Sequence, residues 1–394
     1  MRNKINIFLI VLILSVPVNS FSQDFKTIQP GIEYAQFTRK IKDEPVVVSA
    51  LRLDLKKLRL DVVHAFDRAI GLETTSSIAA RKGAIAAINA GFFKLDKSEF
   101  AGDEAGIFQI DGRLLSESSN DRIAALITNG RKNTEVVFRH LKTSIVLGYG
   151  TDSSIGISGI NRERGAGEVI VYTPEFGPTT QTKDGGAEIV LKIECSQKQR
   201  PGCAGTIIAV NEEKGNSVIP ADGMVVSIDS GRKEFAHYVG DIKHFSKEAW
   251  PFRIPFFVVA AEDEAITDNF IKAEDIVAGV PQLIKNGKID ITWQQEKAAK
   301  AFAENRHPRT AVAKLKNGKF LMVAVDGRQP GVSVGMSLQE LAEMLLEMGA
   351  VDAMNLDGGG STTMFLKDKV VNHPSDKEGE RKVGSAILVF PRKK

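Results

Sequence analysis

The chain has 394 residues, of which 43% are hydrophobic and 26% are charged, and its formal net charge is +3 at pH 7. These proportions are typical of a globular protein with a sizeable core and exclude a long low-complexity chain. A nearly neutral protein has no general attraction for nucleic acid, so we expect no nucleic-acid partner.

The first 22 residues have the features of a secretory signal peptide. Two basic residues precede an apolar run from Ile5 to Val16, and Ser20 or Ser22 can end the leader. We therefore predict a signal peptide over 1–22 and an exported protein, periplasmic or extracellular; a retained anchor is the alternative. No later segment is apolar over the length that a bilayer requires, so we expect no membrane span after signal cleavage.

Strand-like segments dominate the first half of the chain and do not alternate regularly with helices. Helical periodicity is clear only at 75–82, about 292–304 and 338–348. The pattern predicts an α+β fold with a mixed, mostly antiparallel β-sheet core and a few packed helices. We predict a single large domain over 23–394 with a variable, β-rich part over 140–270, and the sequence leaves the oligomeric state open. Strands are predicted at 46–53, 58–64, 84–89, 122–128 and 144–148.

Asn89 ends one of these strands and is followed by Phe92 and Phe93. An asparagine there can hydrogen-bond a sugar hydroxyl or orient a carboxylate, and the aromatic rings can stack on a sugar. A turn asparagine with two core aromatics is the alternative. The adjacent acids Asp103 and Glu104 lie shortly after this motif, and the pair is either part of a site or a solvated charge cluster.

Cys195 and Cys203 enclose a short polar loop. In an exported protein this spacing predicts a disulfide bond, and two separate thiols are the alternative. Without a second cysteine pair, a cysteine-based zinc site is not indicated.

Two apolar segments, 309–315 and 320–326, flank Asn317-Gly318, which is a strong hairpin signal. A two-residue turn would place Arg309 opposite Asp326. Ser337 then begins a capping box before the helix at 338–348, and a strand at 351–356 follows. If the strands at 320–326 and 351–356 are parallel, their ends share one edge of the sheet. An Arg–Asp pair that only stabilises a strand end is the alternative.

The segment from Asn355 to Thr363 contains a carboxylate, three glycines and three hydroxyls directly after a strand. Glycine permits turned backbone whose amide groups can bind an anion. Asp357 would supply the carboxylate, and Arg381 lies ahead of the last strand, at 386–390. An ordinary glycine-rich turn is the alternative.

These segments together resemble the phosphodiester glycosidase family in their order and approximate spacing. The best-matched core is 84–112 and 280–392; Gly384-Ser385 stands where a larger polar residue is usual, and 140–270 matches little. The motifs that carry the resemblance are Asn89-Ala-Gly-Phe-Phe93, His307-Pro-Arg-Thr310, Val325-Asp-Gly-Arg328, Asn355-Leu-Asp-Gly-Gly-Gly-Ser361 and Gly379-Glu-Arg381.

The resemblance implies a hydrolase that cleaves a sugar-1-phosphodiester, such as a diester of N-acetylglucosamine-1-phosphate, at the C1–O bond, in envelope or extracellular polysaccharide. Such a site needs a carboxylate that activates water or attacks C1, and positive groups on the departing phosphate. The chemistry requires no cofactor, although a bound Ca²⁺ is compatible with the acids. The candidate catalytic residues are Asp357, Asp326 and Glu104, and the candidate ligands of substrate and phosphate are Asn89, Arg309, Arg328, Gly358, Gly359, Gly360, Ser361, Thr362 and Arg381.

Two other functions remain open at this stage. A non-catalytic polysaccharide-binding protein would keep the glycine loop without the chemistry, and the loss of an acid would favour it, but both Asp326 and Asp357 are present. A phosphodiesterase that cuts the P–O bond with a metal would need histidines at ligand spacing, which the sequence lacks.

Overall fold

The computed structural model describes residues 24–149, 153–195, 203–247, 252–254 and 272–392. The predicted signal peptide and the loop between the two cysteines lie outside these residues. Within the described part of the chain, no helix has the length and apolarity needed to cross a membrane.

The described residues contain mainly strands, with four α-helices. The strands, numbered in chain order, are β1 (Lys26–Gln29), β2 (Ile32–Ile41), β3 (Glu44–Leu53), β4 (Leu58–His64), β5 (Glu73–Thr74), β6 (Ala86–Asn89), β7 (Phe108–Ile110), β8 (Arg113–Ser116), β9 (Ile123–Asn129), β10 (Thr134–His140), β11 (Ile145–Tyr149), β12 (Ser153–Ile157), β13 (Gly159–Ile160), β14 (Val169–Tyr172), β15 (Gly186–Cys195), β16 (Cys203–Glu212), β17 (Gly223–Asp229), β18 (Phe252–Ile254), β19 (Asp275–Ala278), β20 (Gln282–Lys285), β21 (Lys288–Ile289), β22 (Arg309–Leu315), β23 (Phe320–Val325), β24 (Ala350–Asn355), β25 (Met364–Leu366), β26 (Lys369–Val370), β27 (Lys382–Val383) and β28 (Ser385–Pro391). The helices are α1 (Thr75–Lys82), α2 (Phe235–Lys247), α3 (Lys300–Glu304) and α4 (Leu338–Glu347).

Four sheets make up most of the structure. The first has the order β1-β2-β3-β23-β22-β24-β20-β21, the second β26-β25-β6-β28-β4, the third β10-β9-β19-β7-β8 and the fourth β12-β11-β18-β16-β15-β17-β14-β13. Among the described strands, only β13 and β14 pair in parallel. The prediction of a mostly antiparallel core is therefore confirmed, while the single large domain stays a prediction.

The first sheet is covered on both faces. One face carries Leu53 and Met322, which belong to a core cluster shared with the second and third sheets. The opposite face packs against the apolar side of α4, where Leu341 and Leu345 are fully buried. The central strands β22 and β23 are buried along almost their whole length, so the predicted site residues lie at strand ends, where the loops emerge.

The predicted helix at 75–82 is confirmed, and α4 ends one residue before the predicted helix at 338–348. The predicted helix at 292–304 is reduced to α3, since Lys297 has φ +55 and the segment before it forms turns. The Glu296 carboxylate accepts the amides of Gln282 and Ile123, which holds this segment against neighbouring strands instead.

The hairpin of β22 and β23 differs by one residue from the predicted register. Arg309 pairs with Val325, not with Asp326. Gly318 takes φ +80 and donates its amide to Leu315, so the connection contains one residue more than a two-residue turn. Because β23 and β24 both run antiparallel to β22, they are parallel to each other. Asp326 and Asp357 therefore follow strands that end at the same edge, as predicted.

The structure tests the predicted disulfide bond only through the backbone positions of the two cysteines. The pairing of β15 with β16 places Cys195 directly opposite Cys203. Directly opposite residues in an antiparallel pair are separated by about 4.5–5.5 Å between Cα atoms, a spacing that a disulfide can span. The disulfide bond itself stays a prediction.

Candidate active site

The site is built around Asn89, which ends β6 and is fully buried. Its Nδ2 donates to the carbonyl of Asp357 at 2.7 Å. Its Oδ1 accepts the hydroxyl of Thr310 at 2.9 Å and the amide of Thr363 at 3.1 Å. The side chain therefore ties the glycine loop to β22, and its predicted contact with sugar stays a prediction.

The glycine loop is fixed further by its own backbone. Asp357 donates its amide to Ala90 at 3.0 Å, and Gly359 donates its amide to Pro308 at 2.9 Å. Gly359 has φ +61, a conformation that favours glycine, and a 3₁₀ turn runs from Gly359 to Ser361. The Gly358 amide bonds the Asp357 carboxylate. Two of the three glycine amides predicted as phosphate ligands are thus used within the protein.

Asp357 lies at the start of this loop and is half-buried as a residue. Burial raises its pKa to about 6, while the Ser361 hydroxyl, the positive charge of Arg381 and the Gly358 amide oppose that rise. An acid with this pKa is mostly ionised at neutral pH, and its pKa is close enough to 7 for the group to exchange a proton during a reaction.

Glu104 is the second acid of the site and is buried. It forms an isolated β-bridge with Phe93, and its carboxyl group lies against the backbone of Gly91 and Gly384, where a Cβ atom would collide with it. Burial raises the pKa of Glu104 to about 8; the Ser385 hydroxyl opposes the rise, and the charges of Asp103 and Asp357 add to it. Glu104 is therefore protonated at neutral pH.

Glu104 and Asp357 have distinct protonation states although they interact electrostatically. Pairs of acids whose surroundings push their pKa values apart are typical of acid–base catalysis. His64, whose Nε2 lies 3.8 Å from the Glu104 carboxyl, is also buried, and burial lowers its pKa to about 4. It is neutral at pH 7 and contributes no charge to the pair.

Two guanidinium groups lie over the glycine loop. A Cβ atom at Gly359 would meet the Arg328 Nη2 at 3.1 Å, and one at Gly360 would collide with Arg381. Asp376 orients Arg381 through bonds of 2.7 and 3.1 Å. Arg328 is exposed and pairs with no carboxylate among the described residues. The loop thus combines the Asp357 carboxylate with two positive groups, as an anionic substrate requires.

Two substitutions separate the roles of the loop glycines. Gly360→Ala should displace Arg381 and raise KM about tenfold with little loss of stability, because the side chain can move. Gly358→Ala should instead lower stability by roughly 2 kcal/mol, because its Cβ would lie 2.6 Å from the Pro308 carbonyl, which is backbone. Thermal melts and steady-state kinetics on both variants measure the difference, and equal effects would contradict this assignment.

Asp326 is buried and has no free carboxylate oxygen. Its Oδ1 accepts the side chain of Asn372 and the amide of His373, and its Oδ2 lies 3.1 Å from His373 Nδ1. Burial raises the pKa of Asp326, and these donors oppose the rise. Asn372 also donates to the Thr362 carbonyl. These contacts favour a positioning role, and the catalytic role of Asp326 stays a prediction.

Arg309 is almost fully buried, and the structure gives its side chain backbone partners. It donates to the carbonyls of Met336, Phe302 and Asn305, and its guanidinium stacks on the Phe302 ring. Burial lowers its pKa to about 10. The contacts favour a structural role at the end of α3, while phosphate binding by Arg309 stays a prediction.

Arg309→Ala should therefore act mainly on folding. Three carbonyls would lose a charged donor, so we expect a loss of roughly 3 kcal/mol of stability, and Arg309→Lys should recover part of it. Denaturant unfolding of both variants measures this. If the unfolding midpoint is unchanged and KM is raised, Arg309 binds substrate, as the sequence predicts.

One continuous set of hydrogen bonds joins several predicted residues. Asn372 joins Asp326 to Thr362, and Thr362 is bonded to Thr310. Thr310 is bonded in turn to Asn89, which donates to the Asp357 carbonyl. Asn372 and His373 were missed in the sequence, where the only signal is a polar pair after a short strand. His64 was missed as well, because nothing local distinguishes it from an ordinary strand residue.

A family model described as phosphodiester glycosidase matches residues 203–390. That range contains Asp326, Arg328, Asp357 and Arg381. Asn89 and Glu104 lie outside the matched range and join it through the contacts described above.

Curated relatives agree with the family model over a short part of their length. The N-acetylglucosamine-1-phosphodiester alpha-N-acetylglucosaminidase of Bos taurus is 35% identical over 123 residues, which is 29% of this chain and 23% of that protein. The Homo sapiens enzyme of the same name is 32% identical over 29% of this chain and 24% of its own length. The chain thus matches about a quarter of the length of these relatives.

Two solved structures have the same fold. A hypothetical protein from Synechocystis superposes with a TM-score of 0.73 at 22% identity, covering 92% of this chain and 63% of that one. A protein from Burkholderia pseudomallei superposes with a TM-score of 0.68 at 23% identity, covering 89% and 75%. At these identities the likeness concerns the fold alone.

Proposed function

Because the chain belongs to the phosphodiester glycosidase family, we propose that it hydrolyses a sugar-1-phosphodiester at the bond between C1 and the bridging oxygen. The observation that supports this best is the half-buried Asp357, with a pKa of about 6, and the buried Glu104, with a pKa of about 8, in a site where two guanidinium groups lie over the glycine loop. This hydrolysis requires an ionised carboxylate and positive charge, and a protonated acid can assist the departure of the leaving group.

Each group has a role in the proposed reaction. Asp357 either attacks C1 or takes a proton from the attacking water, and the water oxygen ends on C1. The C1–O bond breaks and the electron pair leaves with the phosphate, which departs as a monoester. Glu104 can donate its proton to the departing oxygen, and Arg328 and Arg381 stabilise its negative charge.

The proposed substrate class follows from the relatives, whose names specify an N-acetylglucosamine-1-phosphodiester. We propose a diester of this kind within envelope or extracellular polysaccharide. Gly384-Ser385 stands where relatives usually have a larger polar residue, and these two residues lie against Glu104, the proposed proton donor. The difference therefore bears on which sugar is accepted.

The cellular setting is also part of the proposal. We propose that residues 1–22 direct export to the periplasm or the exterior, that 23–394 form one domain, and that Cys195 and Cys203 form a disulfide there. Mass spectrometry of the secreted protein before and after reduction tests the leader and the disulfide together. The proposed chemistry needs no cofactor, and the predicted Ca²⁺ is tested by metal analysis of the purified protein.

The decisive experiment is hydrolysis of an alkyl diester of N-acetylglucosamine-1-phosphate in water enriched in heavy oxygen. We expect free sugar that carries the label at C1, together with an unlabelled phosphomonoester. Label in the phosphate would mean P–O cleavage and a phosphodiesterase. Glycan binding without turnover would mean a polysaccharide-binding protein. Asp352→Asn, on the same strand as the loop, is the matched control for Asp357→Asn.

A further inference from the structure

A cavity of about 730 Å³ lies outside the site described above. One wall is the segment directly after β4, which consists of the 3₁₀ turn and loop at 65–71. The facing wall consists of loops of the fourth sheet, at 176–182 and 216. A cavity of this volume suits a small-molecule ligand. The lining residues used below are Phe66, Arg68, Glu99, Gln181, Thr182 and Asn216.

Phe66 presents its ring to this cavity in an unusual conformation. The residue is 56% exposed and its φ is +56°, a region that a bulky residue rarely adopts. The ring lies over the backbone of Gly71, where a Cβ atom would meet it at 3.2 Å, and the Phe66 amide donates to Glu73. Strain of this kind persists where the surroundings enforce it, often at ligand sites.

The facing wall is polar and held in place from behind. The Glu188 carboxylate is fully buried and accepts the hydroxyls of Thr180 and Thr182 and the amide of Ser217. The Thr182 hydroxyl also accepts the amide of Asn216. These bonds fix the two loops before any ligand arrives, so binding costs little ordering of the protein.

Gln181 leaves one hydrogen-bonding group unused at this wall. Its Oε1 atom is buried and has no hydrogen-bond partner among the described residues, and its φ is +54. A buried acceptor without a partner costs free energy. The cavity also contains one cation, Arg68, and one anion, Glu99, so it has no net preference for a charged ligand.

The cavity is connected to the proposed active site through backbone contacts. Gly71, on its lining, donates its amide to Ala101 at 2.9 Å. The next residue, Gly102, accepts a hydrogen bond from His64 Nε2 at 2.9 Å, and the same nitrogen lies 3.8 Å from the Glu104 carboxyl. The loop that lines the cavity and the segment that carries Glu104 are therefore held together by hydrogen bonds.

We propose that this cavity is a second saccharide-binding site, which holds a neutral sugar unit of the glycan whose phosphodiester is cleaved; this rests on the proposed function. The aromatic ring of Phe66 packs against the apolar C–H face of a pyranose. The sugar hydroxyl groups form hydrogen bonds with the side-chain amides of Gln181 and Asn216 and with the hydroxyl of Thr182. An anchored glycan would present its phosphodiester to the catalytic acids at a higher effective concentration.

The first test is binding on a printed panel of bacterial and plant glycans, with the full protein as Asp357→Asn so that no glycan is cleaved. We expect at least one glycan to bind, and Phe66→Gly and Gln181→Gly in that background to weaken binding about tenfold. Glycine tolerates the positive φ at both positions, so these variants keep the backbone. Ile208→Ala, at another exposed apolar residue, is the matched control and should bind normally.

The outcomes of this test are separate from those of the hydrolysis experiment. Binding to no glycan, or binding that Phe66→Gly leaves unchanged in a variant with a normal melt, would overturn the second site whether or not hydrolysis occurs. Glycan binding lost in Phe66→Gly, without hydrolysis by the unmodified protein, would support the second site and refute the proposed reaction. If both hold, Phe66→Gly should lower kcat/KM for a polymer about tenfold and leave the small alkyl diester unaffected.

Discussion

Asp357→Asn should reduce hydrolysis by roughly 10³-fold or more while leaving substrate binding nearly intact. The amide keeps the size of the carboxylate and can still meet the Gly358 amide and the Ser361 hydroxyl. It cannot attack C1 or accept a proton from water. Single-turnover kinetics and equilibrium binding of the alkyl diester measure the two effects separately.

The melting temperature of Asp357→Asn is the control for this experiment, and the direction of its expected change follows from the raised pKa of Asp357. Burial raises the pKa of Asp357 from 3.8 in the unfolded chain to about 6, so its contribution to stability is complete below 3.8 and is lost as the pH rises through about 6. At neutral pH, Asp357→Asn should therefore melt no lower than the unmodified protein. A variant that loses turnover only because it melts lower would contradict the catalytic role.

Glu104→Gln should change the pH dependence as well as the rate. The unmodified protein should show a bell-shaped kcat/KM, rising near pH 6 as Asp357 ionises and falling near pH 8 as Glu104 loses its proton. In Glu104→Gln the fall near pH 8 should disappear. The rate at neutral pH should drop only about 10²-fold, because a phosphate leaves with little help from a proton donor.

A series of diesters with leaving groups of different basicity sharpens this test. The rate of Glu104→Gln should depend more steeply on leaving-group pKa than the rate of the unmodified protein, since the proton donor is gone. An alkaline limb that persists in Glu104→Gln would assign that limb to another residue, and Asp103, whose pKa burial raises to about 7, would be the first to examine.

The same residue should affect stability in the direction set by its pKa. Burial raises the pKa of Glu104 from 4.5 to about 8, so its stabilising contribution is complete below 4.5 and lost through about 8. The melting temperature of Glu104→Gln should therefore exceed that of the unmodified protein more at about pH 9 than at about pH 5.

The parts of the fold that local pattern determines were predictable. The capping box at Ser337 and Glu340 fixes the start of α4, and the strand-end positions of Asp326 and Asp357 follow from strand and helix periodicity. The register of the β22–β23 hairpin was wrong by one residue, because Asn317-Gly318 is compatible with more than one turn and Gly318 takes the bulge position.

The chemistry of the site was predictable only in outline. The sequence indicates which acids and guanidinium groups gather near the glycine loop. It does not indicate that Asp326 is bonded by His373, or that Arg309 faces the carbonyls at the end of α3, because both contacts depend on packing between distant segments. The raised pKa of Glu104 was also hidden, since it results from burial against Gly91 and Gly384.

The buried Asn89 side chain has a consequence for the order in which this protein becomes functional. It bonds Asp357 and Thr310, residues 268 and 221 positions away along the chain. We expect contacts between such distant positions to form late in folding, because closing the long loop between them costs chain entropy before the contact stabilises it. The glycine loop therefore takes its final conformation only after β6 has met β22 and the segment that follows β24. A truncated chain that lacks β24 and the loop after it should therefore leave the Asn89 side chain without its Asp357 and Thr363 partners, and hydrogen exchange at the end of β6 would show the loss.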